Sequence, residues 1–288
     1  MKSSRQDALI SLLDDPDHSV FDLVLEELLK EDISVVDQLE QIWETSLDEL
    51  VQDRIEGIIQ EIQLKDTRER IKNWADQETL DLFEGFFLIS RHRYPEIKFK
   101  TIQLQLEKIR KDIWLEFRNS LTALEKIAIL NHIFYNQYKF KIDFFNPDSP
   151  QNSYINRVLE TKKGNPVSIA ILYTLLGRLL DLPVHYIDFQ KNPLVGYFDP
   201  EMAKFVHGEA TSHSILFYIN PSNNGALIGS KEVDYIQNTS DEADRKNLTQ
   251  PCPDRIIIKR LIERLINGYN ELGLHEKVNY LNQIAAIL

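Results

Sequence analysis

The chain has 288 residues, of which 43% are hydrophobic and 27% charged, and these shares are typical of a soluble globular protein. Its net charge of −12 excludes an extended basic face for nucleic acid, because phosphate contacts need clustered lysine and arginine. The single cysteine, Cys252, excludes a disulfide framework and favours a reducing compartment. Since the sequence shows no signal peptide and no long apolar run, we expect a cytoplasmic protein with no membrane span.

The first half of the chain is predicted to be helical. Apolar residues recur with a helical period over 5–30, 36–64, 77–93, 99–117 and 121–137. We therefore expect residues 1–150 to form an all-helical N-terminal region. The helix pair within residues 5–30 resembles a HEAT-type repeat, although an ordinary helical hairpin has the same pattern.

A central buried helix is predicted to follow a proline-rich loop and a short helix. Asn165 is a favourable N-cap, and Pro166 stands at the first helical position, where proline is tolerated best. The residues from Pro166 to Leu180 are apolar around most of the circumference, which indicates a helix in the middle of a domain. The segment Asp181-Leu182-Pro183 is expected to end it.

After Pro183 the hydrophobic period changes from helical to alternating, which predicts a small sheet. Strands are expected at 184–189, 205–207, 214–219 and 226–228. The segment 191–210 is rich in proline and glycine and is predicted to be an exposed excursion. The polar stretch 237–253 is expected to be a linker, and two helices should complete the chain.

Ser168 is the first candidate for chemistry, because it lies in the first turn of the predicted central helix. Free N–H groups and the helix dipole favour negative charge there, so a cysteine at this place would become a reactive thiolate. A serine gains much less and needs a base within hydrogen-bond reach. Serine is also simply a favourable first-turn residue, so a structural role remains open.

The seven histidines are the second candidate set. None of them falls in a metal-binding spacing, and the glycines form no nucleotide-binding loop, so we expect no metal and no cofactor. His207 and His213 flank a predicted strand and are the histidines within plausible reach of Ser168. A structural or surface role is the alternative for each of them.

The run NSYINRVLETKKGNPVSIAILYTLLGRLLDLPV resembles the core of the SirB-type branch of the transglutaminase-like superfamily. That branch, which is bacterial, has roughly the pattern NSYLNxVLxxxxGxPxSLAxLYxxLxxxLxLPV. The similarity extends over about residues 78–288, including the turn that begins at Asn220-Pro221. The terminal helix pair resembles the tetratricopeptide-like hairpin of the same branch, whereas residues 1–77 match nothing in it.

The resemblance implies a papain-like fold with a Cys, His, Asp triad, in which the SirB-type branch replaces the cysteine by serine. Ser168 would hold the nucleophile position. Asn192 stands where the histidine is expected, and Asn220 stands where the aspartate is expected. Because asparagine cannot accept a proton from a hydroxyl near neutral pH, the resemblance implies a degenerate triad.

We therefore expect an α+β protein: a helical N-terminal region packed on a small papain-like or transglutaminase-like core with an antiparallel sheet, followed by a two-helix hairpin. The predicted divisions are 1–150, 151–237 and 238–288. The expected function is a non-catalytic module that binds a protein or peptide, with no nucleic-acid or membrane partner. The alternative is a serine amidase or peptidase in which Ser168 acts with His213 or His207 as a substitute base, and a purely structural helical scaffold is a third reading.

Overall fold

The computed structural model describes residues 8–15, 17–31, 33–189, 192–208, 214–229, 232, 235 and 248–288. The chain consists of two compact units, Met1–Asn73 and Trp74–Leu288. Each unit has its own buried residues and is described by itself. The predicted divisions near residues 150 and 237 stay predictions.

The first unit is helical. It contains α1 (His18–Leu28), α2 (Val35–Thr45) and most of α3 (Glu49–Ala75). Aliphatic side chains from these helices form one buried cluster, which includes Leu28, Leu39 and Ile55. The buried guanidinium of Arg54 donates to the carbonyl oxygens of Leu13 and Asp15 at 2.8 and 2.7 Å, so this cation is satisfied by backbone. The likeness to a HEAT repeat remains a prediction.

The second unit contains the remaining helices and both sheets. Its helices are α4 (Leu82–Arg93), α5 (Phe99–Trp114), α6 (Ala123–Asn131), α7 (Ile155–Thr161), α8 (Pro166–Leu179), α9 (Pro200–His207), α10 (Asp254–Glu271) and α11 (His275–Ala285). A π-helical segment, His132–Gln137, continues α6. Short 3₁₀ turns occur at Pro150–Ser153 and Pro221–Asn223. The predicted central helix, here α8, is confirmed, and it is buried along most of its length.

A four-stranded antiparallel sheet is formed by β3 (Val184–Ile187), β4 (Leu194–Phe198), β5 (Ile215–Asn220) and β6 (Ala226–Ile228), in that order. Two-residue strands, β1 (Lys141–Ile142) and β2 (Lys163–Gly164), make a separate parallel pair. The sheet and the terminal helix pair confirm the predicted α+β class.

Two local predictions about the segment after β3 are wrong. Residues 194–198 form β4 instead of an exposed excursion, and it pairs with β3 and β5. Its residues are buried up to Tyr197, so the strand lacks the polar face that would give an alternating pattern. Residues 205–207 belong to α9 rather than to a strand. Asp199 caps α9 by accepting from the Met202 N–H at 3.0 Å, and Pro200 stands at its first position, which is a helix-start signal.

The terminal helix α10 is attached to the core by two partly buried ion pairs. Arg178 of α8 donates to both carboxylate oxygens of Asp254 at 2.9–3.0 Å. Arg260 donates to Asp188, which follows β3, at 3.0 and 3.2 Å. Most of the predicted linker 237–253 lies outside the described residues. No helix in the described part of the chain combines the length and the apolar character that crossing a membrane requires.

The stability of the protein is expected to fall as the pH is lowered from about 6.5 to about 4, because of His92. Burial, with a smaller contribution from the Arg93 guanidinium, lowers the pKa of His92 to about 4 in the folded chain. Between these pH values the unfolded chain binds a proton that the folded chain does not, so acid favours unfolding. Chemical denaturation at several pH values should show a smaller acid loss for His92→Gln than for the wild type. Equal pH dependence of the two proteins would contradict the assignment.

Candidate functional site

The first turn of α8 is closed by a reciprocal capping box. Asn165, the N-cap, accepts from the Ser168 N–H through Oδ1 at 2.9 Å. The Oγ of Ser168 in turn accepts from the Asn165 N–H at 3.0 Å. Two N–H groups that a helix start would otherwise leave unpaired are thereby satisfied. The predicted roles of Asn165 and Pro166 at the helix start are confirmed.

The Ser168 hydroxyl is fully buried and bound to backbone. Its Oγ lies 2.6 Å from the carbonyl oxygen of Asn152 and 3.1 Å from that of Asn165, so the proton is directed at Asn152. Gly164 packs so closely against this hydroxyl that a Cβ at residue 164 would lie only 2.5 Å from Oγ. In the described part of the chain, the hydrogen bonds of Ser168 therefore go to main-chain groups and to the side-chain amide oxygen of Asn165.

This hydroxyl belongs to a buried polar cluster formed by Asn152, Ser153, Asn165 and Ser168. The Asn165 Nδ2 donates to the Ser153 Oγ at 2.7 Å, and the Asn165 N–H also approaches the Asn152 carbonyl oxygen at 3.3 Å. The cluster joins the 3₁₀ turn Pro150–Ser153 to the start of α8. Because buried polar groups are costly when unpaired, the cluster fixes the position of the turn relative to the helix.

The other two predicted triad positions lie near or in the sheet. Asn192 is exposed and lies two residues before β4, next to residues that are not described. Asn220 ends β5 and caps the turn Pro221–Asn223, since its Oδ1 accepts from the Ser222 N–H at 3.0 Å. Neither is among the hydrogen-bond partners of Ser168 within the described residues, so the triad reading remains a prediction.

The Asn220 turn is attached to α8 by a second polar network. The Tyr173 hydroxyl of α8 donates to Asn131 Oδ1 at 2.7 Å, and Asn131 Nδ2 donates to the Gly225 carbonyl oxygen at 2.9 Å. The Tyr135 hydroxyl donates to the Pro221 carbonyl oxygen, also at 2.9 Å. Burial raises the pKa of both tyrosine hydroxyls far above the usual range, so they act as neutral donors.

Of the two histidines considered as substitute bases, the structure describes only His207. His207 ends α9 as an exposed residue, and its Nε2 lies 2.8 Å from the Leu216 carbonyl oxygen. His213 lies outside the described residues, so its proposed role stays a prediction. His185 of β3 packs edge-on against Phe198 with ring centroids 4.7 Å apart, and burial lowers its pKa.

Cys252 is a buried free cysteine. Burial, followed by the nearby Asp188 carboxylate, raises the pKa of its thiol to about 12. A thiol with this pKa is almost entirely protonated at neutral pH and is a weak nucleophile. In the described part of the chain no group of three or more histidine, cysteine or carboxylate side chains has the arrangement of a metal site.

The sequence did not indicate a surface pocket of about 600 Å³ that lies beside the buried polar cluster. Asn152 belongs to both, because its side chain lines the pocket while its carbonyl oxygen accepts from Ser168. The charged residues of the lining are Asp143, Asp148, Arg157, Lys163 and Glu271. Asp143 follows Phe140, Lys141 and Ile142 in the sequence, and its burial is visible only in the fold.

Comparisons with known proteins give one family model and several relatives. The family model described as "Transglutaminase-like superfamily" matches residues 100–263, which is more than half of the chain. The chain is 24% identical over 205 residues to a "UPF0162 protein" of Xylella fastidiosa, covering 68% of this chain and 67% of that one.

It is also 23% identical over 226 residues to "F-box only protein 21" of Mus musculus, covering 70% of this chain and 34% of the mouse protein. A "UPF0162 protein" of Vibrio cholerae is 25% identical over 114 residues, which is 40% of this chain and 42% of the relative. No solved structure matches the chain significantly.

Proposed function

Because this chain belongs to the transglutaminase-like superfamily, we propose that it is a non-catalytic member that binds a protein or peptide. The observation that carries the proposal is the state of the Ser168 hydroxyl. It is fully buried, its proton is directed at the Asn152 carbonyl oxygen, and the Asn165 N–H occupies one of its lone pairs. A hydroxyl held in this way serves as a structural cap for α8.

The proposal includes a degenerate triad and membership of the SirB-type branch. In this reading Ser168, Asn192 and Asn220 occupy the nucleophile, histidine and aspartate positions. Neither asparagine can act as a general base near neutral pH, and Asn220 could not stabilise an imidazolium. Asn220 instead caps its own turn, which supports a structural role for this position. The terminal helices would be the tetratricopeptide-like hairpin of the branch, and the buried free thiol supports a cytoplasmic setting.

The competing proposal is a serine amidase or peptidase. Its support is the position of Ser168 in the first turn of a buried helix, where N–H groups can stabilise an oxyanion. It requires His207 or His213 as a base beside the hydroxyl, and it requires that hydroxyl to leave its bond with Asn152. The non-catalytic proposal keeps that bond in place.

A serine-directed fluorophosphonate probe separates the two proposals. We expect the folded wild-type protein to show no more labelling than the Ser168→Ala variant, because the hydroxyl is inaccessible and has no base among its hydrogen-bond partners in the described residues. Labelling would be measured by mass spectrometry after proteolysis, with an active serine hydrolase as the positive control. Labelling of the wild type at Ser168 that disappears in Ser168→Ala would contradict the non-catalytic proposal and favour the hydrolase.

A further inference from the structure

The surface pocket beside the buried polar cluster contains charges that the protein itself does not fully pair. Asp143 is about nine-tenths buried, and its Oδ1 accepts no hydrogen bond from the described residues. The Lys163 ammonium lies 4.0 Å from that oxygen, which is an ion-pair distance but too long for a hydrogen bond. A buried carboxylate without a full set of donors is costly, so an external donor that reaches it gains binding energy.

The positively charged side of the pocket also has a group without a hydrogen-bond partner. The Nε of Arg157 is shielded from solvent and donates to no acceptor in the described chain. Its other nitrogens are used by Glu160 and Gln151. The lining therefore contains an acceptor and a donor without hydrogen-bond partners in the described chain, and both atoms are covered by neighbouring groups. The half-exposed Lys163 side chain lies 4.0 Å from Asp143 Oδ1, so a ligand that displaces it can reach this acceptor.

The pocket is built from a loop that is held by hydrogen bonds and close packing. Asn152 Nδ2 donates to the Asn146 carbonyl oxygen at 2.7 Å, and the Asp143 N–H donates to the Gly164 carbonyl oxygen at 2.9 Å. On the far side the loop lies directly on α10, where a Cβ at Gly268 would be 2.2 Å from the Asp148 carbonyl oxygen. Such a preformed site loses little conformational entropy when a ligand binds.

The size, rim and charge of the pocket indicate the class of ligand. Its volume of about 600 Å³ is that of an ordinary ligand site. Phe145 and Leu272, which are 92% and 61% exposed, stand at its edge and provide apolar surface for a neighbouring side chain. The lining carries three carboxylates against two cations, and the whole chain has a net charge of −12, so a basic ligand is favoured electrostatically.

We propose that this pocket binds a peptide segment in which a lysine or arginine lies next to an apolar residue. The basic side chain displaces the half-exposed Lys163 ammonium from Asp143 and donates to Oδ1, while the apolar neighbour packs on Phe145 and Leu272. This inference rests on the proposed binding function and gives it a site and a ligand chemistry.

Fluorescence anisotropy with three labelled peptides tests the proposal. Each peptide has one central tripeptide, Leu-Lys-Phe, Leu-Glu-Phe or Ser-Lys-Ser, flanked on both sides by glycine and serine residues. We expect the Leu-Lys-Phe peptide to bind the full chain most tightly, and Asp143→Asn to weaken it by roughly 10- to 100-fold, since a hydrogen bond to a charged group is lost. Lys163→Met should instead strengthen binding, because it removes the competing ammonium. Asp76→Asn, which removes an exposed carboxylate of the same unit, is the matched control and should leave binding unchanged.

The results of the binding assay separate a failure of the proposed pocket from a failure of the proposed non-catalytic function. Binding that is equal in the wild type and Asp143→Asn, with unchanged melting temperatures, would overturn the site while leaving a non-catalytic binding function in place. A preference for the Leu-Glu-Phe peptide, or no binding of any of the three peptides at millimolar concentration, would overturn the proposed ligand chemistry. The function itself is rejected only by the fluorophosphonate result at Ser168.

Discussion

Replacing Ser168 with alanine is expected to lower the free energy of unfolding by about 1–3 kcal/mol. The change removes the Oγ half of the capping box and the buried hydrogen bond to the Asn152 carbonyl oxygen, while the bond from the backbone N–H of residue 168 to Asn165 Oδ1 remains. A buried group that loses its hydrogen bond costs about 1–3 kcal/mol. Urea denaturation of the wild type and of Ser168→Ala measures the difference. The slopes of unfolding free energy against urea concentration should be equal if both proteins unfold in two states.

Thr174→Val is the matched control on the same helix. Thr174 is fully buried like Ser168, but its hydroxyl has no hydrogen-bond partner in the described chain. Because valine has nearly the same shape and removes an unpaired polar atom, this variant should be neutral or more stable than the wild type. A Ser168→Ala protein as stable as the wild type would contradict the structural role, and it would instead be the behaviour of a residue retained for chemistry.

Gly268→Ala is expected to lower the free energy of unfolding by about 2–3 kcal/mol and to weaken peptide binding in the pocket. A Cβ at this position would lie 2.2 Å from the Asp148 carbonyl oxygen and 3.2 Å from two ring carbons of Pro150. The nearest atom is backbone, so the whole loop must move away from α10. Alanine is the better helix former by about 1 kcal/mol, but this gain is smaller than the cost of the clash. Thermal and urea denaturation, together with the anisotropy assay, measure both effects.

Gly57→Ala supplies the control for helix propensity. Gly57 lies within α3, is exposed, and would have no heavy atom within 4 Å of an added Cβ. The same chemical change should therefore stabilise the protein by about 0.5–1 kcal/mol. If Gly268→Ala were stabilising to a similar extent, the close packing of the loop on α10 would be contradicted.

The start of α8 was predictable because its signals are local. Asn165, Pro166 and Ser168 act within one helical turn, so their order in the sequence is sufficient to define a cap and a first turn. The α+β class was predictable for a related reason, because the change of hydrophobic period after Pro183 reflects which side chains face the core. The helix α9 was missed although Asp199-Pro200 is the same kind of start signal as Asn165-Pro166.

The strand β4 could not be read from its own residues, because four of its five residues are buried and the alternation that marks a half-exposed strand is absent.

The sequence by itself determined where α8 begins, that a serine lies in its first turn, and that asparagine stands at two positions where a base and its partner were expected. The tertiary structure decided what the serine hydroxyl contacts. Asn152 is 16 residues away in the chain, and only the folding of the turn Pro150–Ser153 onto α8 brings its carbonyl oxygen within 2.6 Å of Oγ. The pocket depends on the fold in the same way, since Asp143 and Leu272 become neighbours only when α10 packs on the core. Hydrogen bonds and burial between distant segments depend on packing, and local sequence patterns do not encode them.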